Sequence, residues 1–240
     1  IAPVMSCPGD LTAVCDASEH TPYADFASFV GAGGSASDNC QIDESSFMLQ
    51  SESSDGNSCP ETITRIYYVE DLCGNGATCE QVIVLDDEIA PVMSCPGDLM
   101  AVCDISEHPA YTDFASFVGA GGSATDNCEI NASSFALQSE TSDGNSCPET
   151  VTRIYYVEDL CGNGVTCEQV VTIDDDIAPT MSCPGDLEAV CSITEQAPYG
   201  DFASFVAGGG SASDNCEINE STFTLESEIS DGNSCPETVT

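Results

Sequence analysis

The sequence predicts an all-β fold assembled from tandem copies of one small module, each interrupted by a single short helix. Three observations predict it. The 240-residue chain repeats itself: Ile1, Ile89 and Ile177 each open the pattern Ile-Ala-Pro-x-Met-Ser-Cys-Pro-Gly-Asp-Leu, a period of 89 − 1 = 88 residues. Within each copy, runs of β-branched and aromatic residues alternate with Gly, Pro, Asn and Asp clusters, the pattern of short strands and turns. Each full copy carries six cysteines, at 7, 15, 40, 59, 73 and 79 and again at 95, 103, 128, 147, 161 and 167. An even number in so small a module reads as a framework of about three disulfides.

A period of 88 is too long for one turn of a solenoid and suits a domain. The expected domains are therefore residues 1–88, 89–176 and 177–240, the third lacking its last two strands. A domain that stops inside a central strand cannot close its own core. The 240 residues are thus expected to be a window on a longer array, the alternative being strands donated by another chain.

The elements follow in order. Residues 1–5 form a short entry strand bent at Pro3 and ended by Cys7-Pro8-Gly9-Asp10, and residues 11–15 a second short strand. Then the period changes: Tyr23, Phe26, Phe29 and Val30 have helical spacing, and Gly33-Gly34 supplies a left-handed stop. Residues 46–52 alternate as a strand, and Asp55-Gly56 turns the chain. Residues 62–69 are the strongest strand signal. Gly74-Asn75-Gly76 then reverses the chain into residues 77–85, and Asp86-Asp87-Glu88 leads into the next Ile-Ala-Pro. Short strands with regular turns and one helical insertion describe an immunoglobulin-like β-sandwich.

Charge excludes several functions. Forty-two acidic residues stand against two arginines and no lysine, a formal net charge of −40. Nucleic acid and anionic membrane are excluded, because phosphate binding needs clustered Lys and Arg. An apolar fraction of 41% argues against disorder. Zinc would need closely paired cysteines, and no Cys-x-x-Cys occurs; disulfides are expected instead, which places the chain outside the cytoplasm. No apolar run is long enough to span a membrane and no signal peptide opens the sequence; any such segments are expected outside these residues.

Cys-Pro-x-Asp-Leu near the start of each copy, Ser-Ala-Ser-Asp-Asn-Cys (residues 35–40) or Ser-Ala-Thr-Asp-Asn-Cys (residues 123–128) in its middle, and the closing run Thr-Arg-Ile-Tyr-Tyr-Val-Glu-Asp-Leu-Cys-Gly-Asn-Gly (residues 64–76) together resemble hyalin-repeat domains. They are most similar to the cysteine-rich repeats of this type in large secreted bacterial surface proteins. The resemblance covers every copy, and the closing run is its most specific part. It implies an immunoglobulin-like sandwich used in tandem for extracellular adhesion or scaffolding. The helix and the additional cysteines depart from the simplest hyalin repeat.

Geometry limits the disulfides. Cys59 and Cys73 flank a strand of 14 residues, roughly 46 Å at about 3.3 Å per residue, whereas a disulfide needs Cα atoms within about 7 Å. They belong to opposite ends of the module. If residues 11–15 run parallel to the last strand, Cys7 lies beside Cys79, Cys15 falls near Cys59, and Cys40 is left for Cys73. The expected bonds are Cys7–Cys79, Cys15–Cys59 and Cys40–Cys73, repeated as Cys95–Cys167, Cys103–Cys147 and Cys128–Cys161, with Cys191–Cys235 in the third copy. Cys15–Cys40 is the rival pairing.

The acidic joints are the expected functional sites. Asp86, Asp87 and Glu88, and in the second copy Asp174, Asp175 and Asp176, leave one module where the loops of the next bring Asp126, Asn127, Glu158, Asp159 and Asn163, or Asp214 and Asn215. Carboxylates, amides and carbonyls from three segments are what the six to eight oxygen ligands of calcium require. A solvated acidic linker is the plain alternative. An intradomain site from Asp38, Asn39, Glu70 and Asp71 is a second arrangement. Arg65 and Arg153 are expected in structural salt bridges. His20 and His108 are expected to be structural, because Gln196 replaces them in the third copy. Asn131 and Asn219 open N-glycosylation sequons, and the Ser/Thr-rich loop at residues 51–58 suits O-glycans.

No catalytic set is expected, and the chain is not read as an enzyme. The expected function is an extracellular structural one: a tandem-repeat rod forming a filament or surface stalk, disulfide-stapled and calcium-stiffened. Its partners would be further copies of the repeat and covalent glycans. The alternative is a cell-surface adhesin binding carbohydrate or a partner protein through its loops.

Overall fold

The computed structural model describes residues 1–233 and 236–240. It is mostly β-sheet with few short helices. In the first repeat the elements are β1 (Val4–Ser6), β2 (Leu11–Ala13), α1 (Phe26–Gly31), β3 (Ser35–Ser37), β4 (Ile42–Ser54), β5 (Glu61–Asp71) and β6 (Gly76–Leu85). The second repeat returns them as β7 (Val92–Ser94), β8 (Leu99–Ala101), α2 (Phe114–Gly119), β9 (Ser123–Thr125), β10 (Ile130–Ser142), β11 (Glu149–Asp159) and β12 (Gly164–Ile173). The third repeat holds β13 (Thr180–Ser182), α3 (Phe202–Ala207) and β14 (Ser211–Ser213). The helix begins three residues later than its apolar spacing starts, because Asp25 caps it: the Asp25 carboxylate accepts from Ser28 N and the Asp25 amide donates to Ser28 Oγ.

The strand order is β2-β6-β5-β4 in one four-stranded sheet and β10-β11-β12-β8 in the other, with β1-β3, β7-β9 and β13-β14 as separate two-stranded ribbons. β2 runs parallel to β6, Leu11 opposite Ile83 and Ala13 opposite Leu85. β5 and β6 form the expected hairpin, Glu61 opposite Leu85 and Glu70 opposite Gly76. Gly74 takes φ +81° at its turn, as the Gly-Asn-Gly sequence requires.

β5 carries the core. Its inward face is Ile63, Arg65, Tyr67, Val69 and Asp71, every second residue and every one buried. Two apolar clusters form on it: Phe29, Phe47, Tyr67 and Val69 beneath α1, and Ala13, Ile63, Ile83 and Leu85 at the other end. Between them lies a polar belt. Gln81, fully buried, donates to Gly9 O at 2.9 Å and to the Tyr23 hydroxyl at 3.2 Å. Arg65, 2% exposed, donates through Nε to Glu52 and through its terminal nitrogens to the carbonyls of His20 and Ala17. Arg153 pairs with Glu140 in the same way at 2.7 Å. One planar guanidinium thus serves three acceptors, which an ammonium cannot reach from one position. Arg65→Lys is expected to cost about 1–3 kcal/mol, the price of buried carbonyls left without a donor, read as a lower urea midpoint at unchanged m-value. An unchanged midpoint would show that the belt is solvated.

The histidines are structural. His20 Nε2 donates to Thr12 O at 2.8 Å and His108 Nε2 to Met100 O at 2.8 Å. Gln196 Nε2 makes the same bond to Glu188 O at 2.9 Å, so the third repeat keeps the contact with a different amino acid.

In the third repeat, residues 237–240 align with the start of β5. The residues aligned with β4 make no long strand there; a 3-10 turn at Glu220–Thr222 and one bridge between Ser230 and Val239 replace it. Of its apolar residues among the described ones, only Phe205 is buried.

The chain divides into two compact units. The first comprises Ile1–Asp98, Ala110–Thr141 and Thr152–Val170, and the second Leu99–Pro109, Ser142–Val151 and Val171–Thr240. The division passes through the second repeat. The first joint between repeats therefore lies wholly inside the first unit, and the second joint wholly inside the second.

Candidate functional site at the joints between repeats

The first joint uses three turns that the sequence preforms. On the outgoing side, the segment after β2 is held by Glu19, whose carboxylate accepts from the amides of Val14, Cys15 and Asp16. Those amides hold the Glu19 carboxyl below its usual range, Cys15 first among them. Glu107 and Glu195 do the same for Cys103 and Cys191. On the incoming side, Asp126 Oδ1 accepts from Cys128 N at 3.0 Å. In the β11–β12 turn, Asp159 accepts from Cys161 N, Asn163 N and Asn163 Nδ2 at 2.7–2.9 Å. Cys15, Cys128 and Cys161 of the first joint thus sit on turns clamped by a carboxylate, whereas Cys59 precedes Pro60 at the start of β5.

The cysteines then close the joint covalently. Cys15 bonds to Cys128 with Cα atoms 5.2 Å apart, and Cys59 bonds to Cys161 at 4.9 Å. In the second unit Cys103 bonds to Cys216 at 5.3 Å. Cys7–Cys79 and Cys95–Cys167 form inside their own repeats, beside the parallel β2–β6 and β8–β12 pairs.

This corrects four of the expected pairings. Cys15–Cys59, Cys103–Cys147 and Cys128–Cys161 are not formed, because Cys15, Cys59, Cys103, Cys128 and Cys161 are bonded across joints. The same argument disposes of Cys15–Cys40. Cys40–Cys73 is not formed either: both are free and exposed, although Leu72 N donates to Gln41 O beside them. Cys191 carries no bond among the described residues, and its expected partner Cys235 lies outside them. The sorting of cysteines to the two ends of the module holds. What differs is that each end meets the opposite end of the next repeat, so a cysteine's nearest partner belongs to its neighbour.

Polar contacts complete the closure. Asp87 is 3% exposed; its carboxylate accepts from Asn127 Nδ2 at 3.1 Å through both oxygens, and its carbonyl accepts from Asn163 Nδ2 at 2.7 Å. At the second joint Asn215 Nδ2 donates to Asp175 Oδ1 at 3.0 Å, and Asn215 with the Ile177 amide holds the Asp175 carboxyl below its usual range. A cleft of about 540 Å³ beside the first joint is lined by Val14, Glu61, Leu85, Asp87 and Leu160 among others.

Of the expected metal ligands, Asp87 and Asp126 approach within 4.8 Å, as do Asp175 and Asp214, each pair with a cysteine sulfur. Those sulfurs, of Cys128 and Cys216, are in disulfides and offer no thiolate. What is left is oxygen, the ligand of hard cations. Asp126 Oδ2 and Asp214 Oδ2 are buried oxygens with no hydrogen-bond donor among the described residues, which suits a cation. Asp86, Glu88, Asp174 and Asp176 are exposed. Glu158 accepts from the Tyr156 hydroxyl at 2.8 Å, and Asp159 is occupied by its turn. Asp38 clamps Cys40 N and Asp71 clamps Cys73 N, so the intradomain set is used as turns.

No family model matches the chain, and no curated protein matches it.

The clamps make the joint acid-sensitive. Burial alone would raise the Asp159 carboxyl, but the Asn163 side chain and the Asn163 and Cys161 amides outweigh it and hold it low. Asp71 is held low by the Asn75 side chain first. A group whose folded value is depressed stabilises the fold fully above its unfolded value, about 4 for a carboxyl. That contribution is lost as the pH falls through the depressed folded value. Amide exchange at Cys161 and Asn163 is therefore expected to be slow down to about pH 4, after correction for intrinsic rates, and to accelerate below it. Protection independent of pH would refute the clamp.

The expected sequon asparagine Asn131 accepts from Ser133 Oγ at 2.6 Å, and Asn219 is exposed and accepts from Ser221 Oγ at 2.6 Å. The cross-joint disulfides were the feature that sequence reasoning missed. The signal available was two cysteines sorted to each end of a module whose linker is only a few residues long.

Proposed function

We propose that the chain is part of an extracellular structural array: tandem immunoglobulin-like modules of hyalin-repeat type, forming a filament or surface stalk, with covalently closed joints. The observation that supports this most is that joint cysteines pair between successive repeats rather than within them. A binding module on a flexible string has no need of covalent bonds to both neighbours; a member that must hold its shape does. Disulfides also require an oxidising compartment, and no helix among the described residues is long and apolar enough to cross a membrane. The closing run Thr-Arg-Ile-Tyr-Tyr-Val-Glu-Asp-Leu-Cys supports the hyalin-repeat reading.

Calcium belongs to this reading as a second brace, at Asp87 with Asp126 and at Asp175 with Asp214, water completing the shell. It would also relieve the self-repulsion of a chain with net charge −40. Glycans on Asn131 and Asn219 would decorate the surface. The reading gives no residue a catalytic role.

The test is small-angle scattering and electron microscopy of the chain in calcium, in chelator and in reductant. Bending that increases in reductant supports the stapled array, and a further increase in chelator supports the calcium brace. Particles equally flexible in all three conditions would sink the structural reading and favour an adhesin.

A further inference from the structure

Cys40 and Cys73 are free and exposed, yet their counterparts one period later, Cys128 and Cys161, are both bonded. The local structure around the two pairs is the same. Asp38 Oδ1 accepts from Cys40 N at 2.8 Å as Asp126 does from Cys128, and Asp71 clamps Cys73 N and Asn75 as Asp159 clamps Cys161 and Asn163. Asn39 and Asn75 stand where Asn127 and Asn163 grip Asp87. The first repeat therefore carries on its incoming face every group that the closed joint uses. Leu72 on that face is 63% exposed against 52% for Leu160 in the closed joint.

We propose that this face is a covalent docking site for another copy of the repeat, which supplies the Cys15 and Cys59 positions and the Asp87 position. Two disulfides form, Cys15 of the incoming copy to Cys40 and its Cys59 to Cys73. The proposal rests on the array reading above and adds to it a polarity: one end of a repeat accepts and the other donates, so copies join head to tail without closing on themselves. Each bond forms by thiol–disulfide exchange with a small-molecule disulfide. Two thiols lose two protons and two electrons to it, one S–S bond forms, and the oxidant leaves as two thiols. Nothing in the face has to reorganise, because the carboxylate clamps already hold both cysteines in the conformation of the closed joint.

The test extends the full chain at its amino end by a second copy of residues 89–176. Its outgoing cysteines are those of Cys103 and Cys147, which distinguishes its peptides from those of the first repeat. After oxidation with a glutathione disulfide couple, non-reducing peptide mass spectrometry is expected to join the Cys40 peptide to the Cys103 sequence and the Cys73 peptide to the Cys147 sequence. Cys40 and Cys73, alkylated in the unextended chain, are expected to become protected. With Cys103→Ser and Cys147→Ser in the added copy only, both are expected to react again. A Cys40–Cys73 bond in the extended protein, or two thiols that still alkylate, would overturn the proposal. The readout is which sulfurs are bonded, whereas the array reading is tested by bending, so either can fail while the other stands.

Discussion

Exchanging Cys15 and Cys128 together for serine, or Cys59 and Cys161 together, is expected to lower the stability of the first unit by about 4 kcal/mol per bond. The bonds span 113 and 102 residues, and cross-links over loops of that size remove the most entropy from the unfolded chain. Replacing both partners leaves neither sulfur of the broken bond to pair elsewhere. The measurement is the guanidinium midpoint, with proteolysis at residues 86–91 as a second readout. The Asn127 and Asn163 contacts to Asp87 persist in these variants, so the joint should open only transiently when one bond is removed and readily when both are. A double variant with the parent's midpoint and protease resistance would mean that the joint is held by packing alone.

The second large effect is expected at the centre of the aromatic cluster. Phe117 is fully buried, with Phe135 at 5.0 Å, Tyr155 at 5.6 Å and Tyr111 at 5.9 Å between ring centroids. Phe117→Ala is expected to cost about 3–5 kcal/mol, because the surrounding rings cannot collapse into the space. Gly122 explains why. A Cβ at that position would lie 2.4 Å from the Phe117 ring, so the backbone turn after α2 is itself one wall of the pocket. Gly122→Ala should push the ring outward and cost about 1–3 kcal/mol. Thermal unfolding monitored by near-ultraviolet circular dichroism would register both. A Phe117→Ala protein that melts with the parent would show that the helix is an ornament on the sheet.

Much of this architecture was legible in the sequence because the local signals agree with one another. The alternation in residues 62–69, the glycine turn at residues 74–76 and the helical spacing of Tyr23, Phe26 and Phe29 each specify an element without reference to anything distant. The parallel alignment that sets Cys7 beside Cys79 entered the sequence reading as a supposition, and the β2–β6 register bears it out. The joint pairings could not. Near-identical repeats offer each cysteine two chemically indistinguishable partners, one in its own copy and one in the next, and residue type cannot choose between them. Arg65 shows a related limit. Its salt bridge is implied by its isolation among acids, but that it points inward, and that three acceptors gather round it, follows only from the register of β5 against β4. The joint carboxylates show a third: Asp86, Asp87 and Glu88 look alike in sequence, and only the inward turn of Asp87 separates it from its exposed neighbours.

The cross-joint bond from Cys59 to Cys161 has a mechanical consequence. The shortest covalent route from Cys73 to Cys147 does not follow the chain. It runs back along β5 to Cys59, crosses one sulfur–sulfur bond to Cys161, and runs back along β11 to Cys147. The peptide route between Cys59 and Cys161 is 102 residues long and mostly folded, a large store of slack. The disulfide short-circuits it. What carries the load is one strand per repeat, and a strand is already drawn out to about 3.3 Å per residue. Tension entering at Cys73 therefore finds almost nothing to pay out: the cores can loosen or melt and the length between those two sulfurs hardly grows. The sheets are wrapped around a tendon, and a reductant that opens one sulfur–sulfur bond unties it.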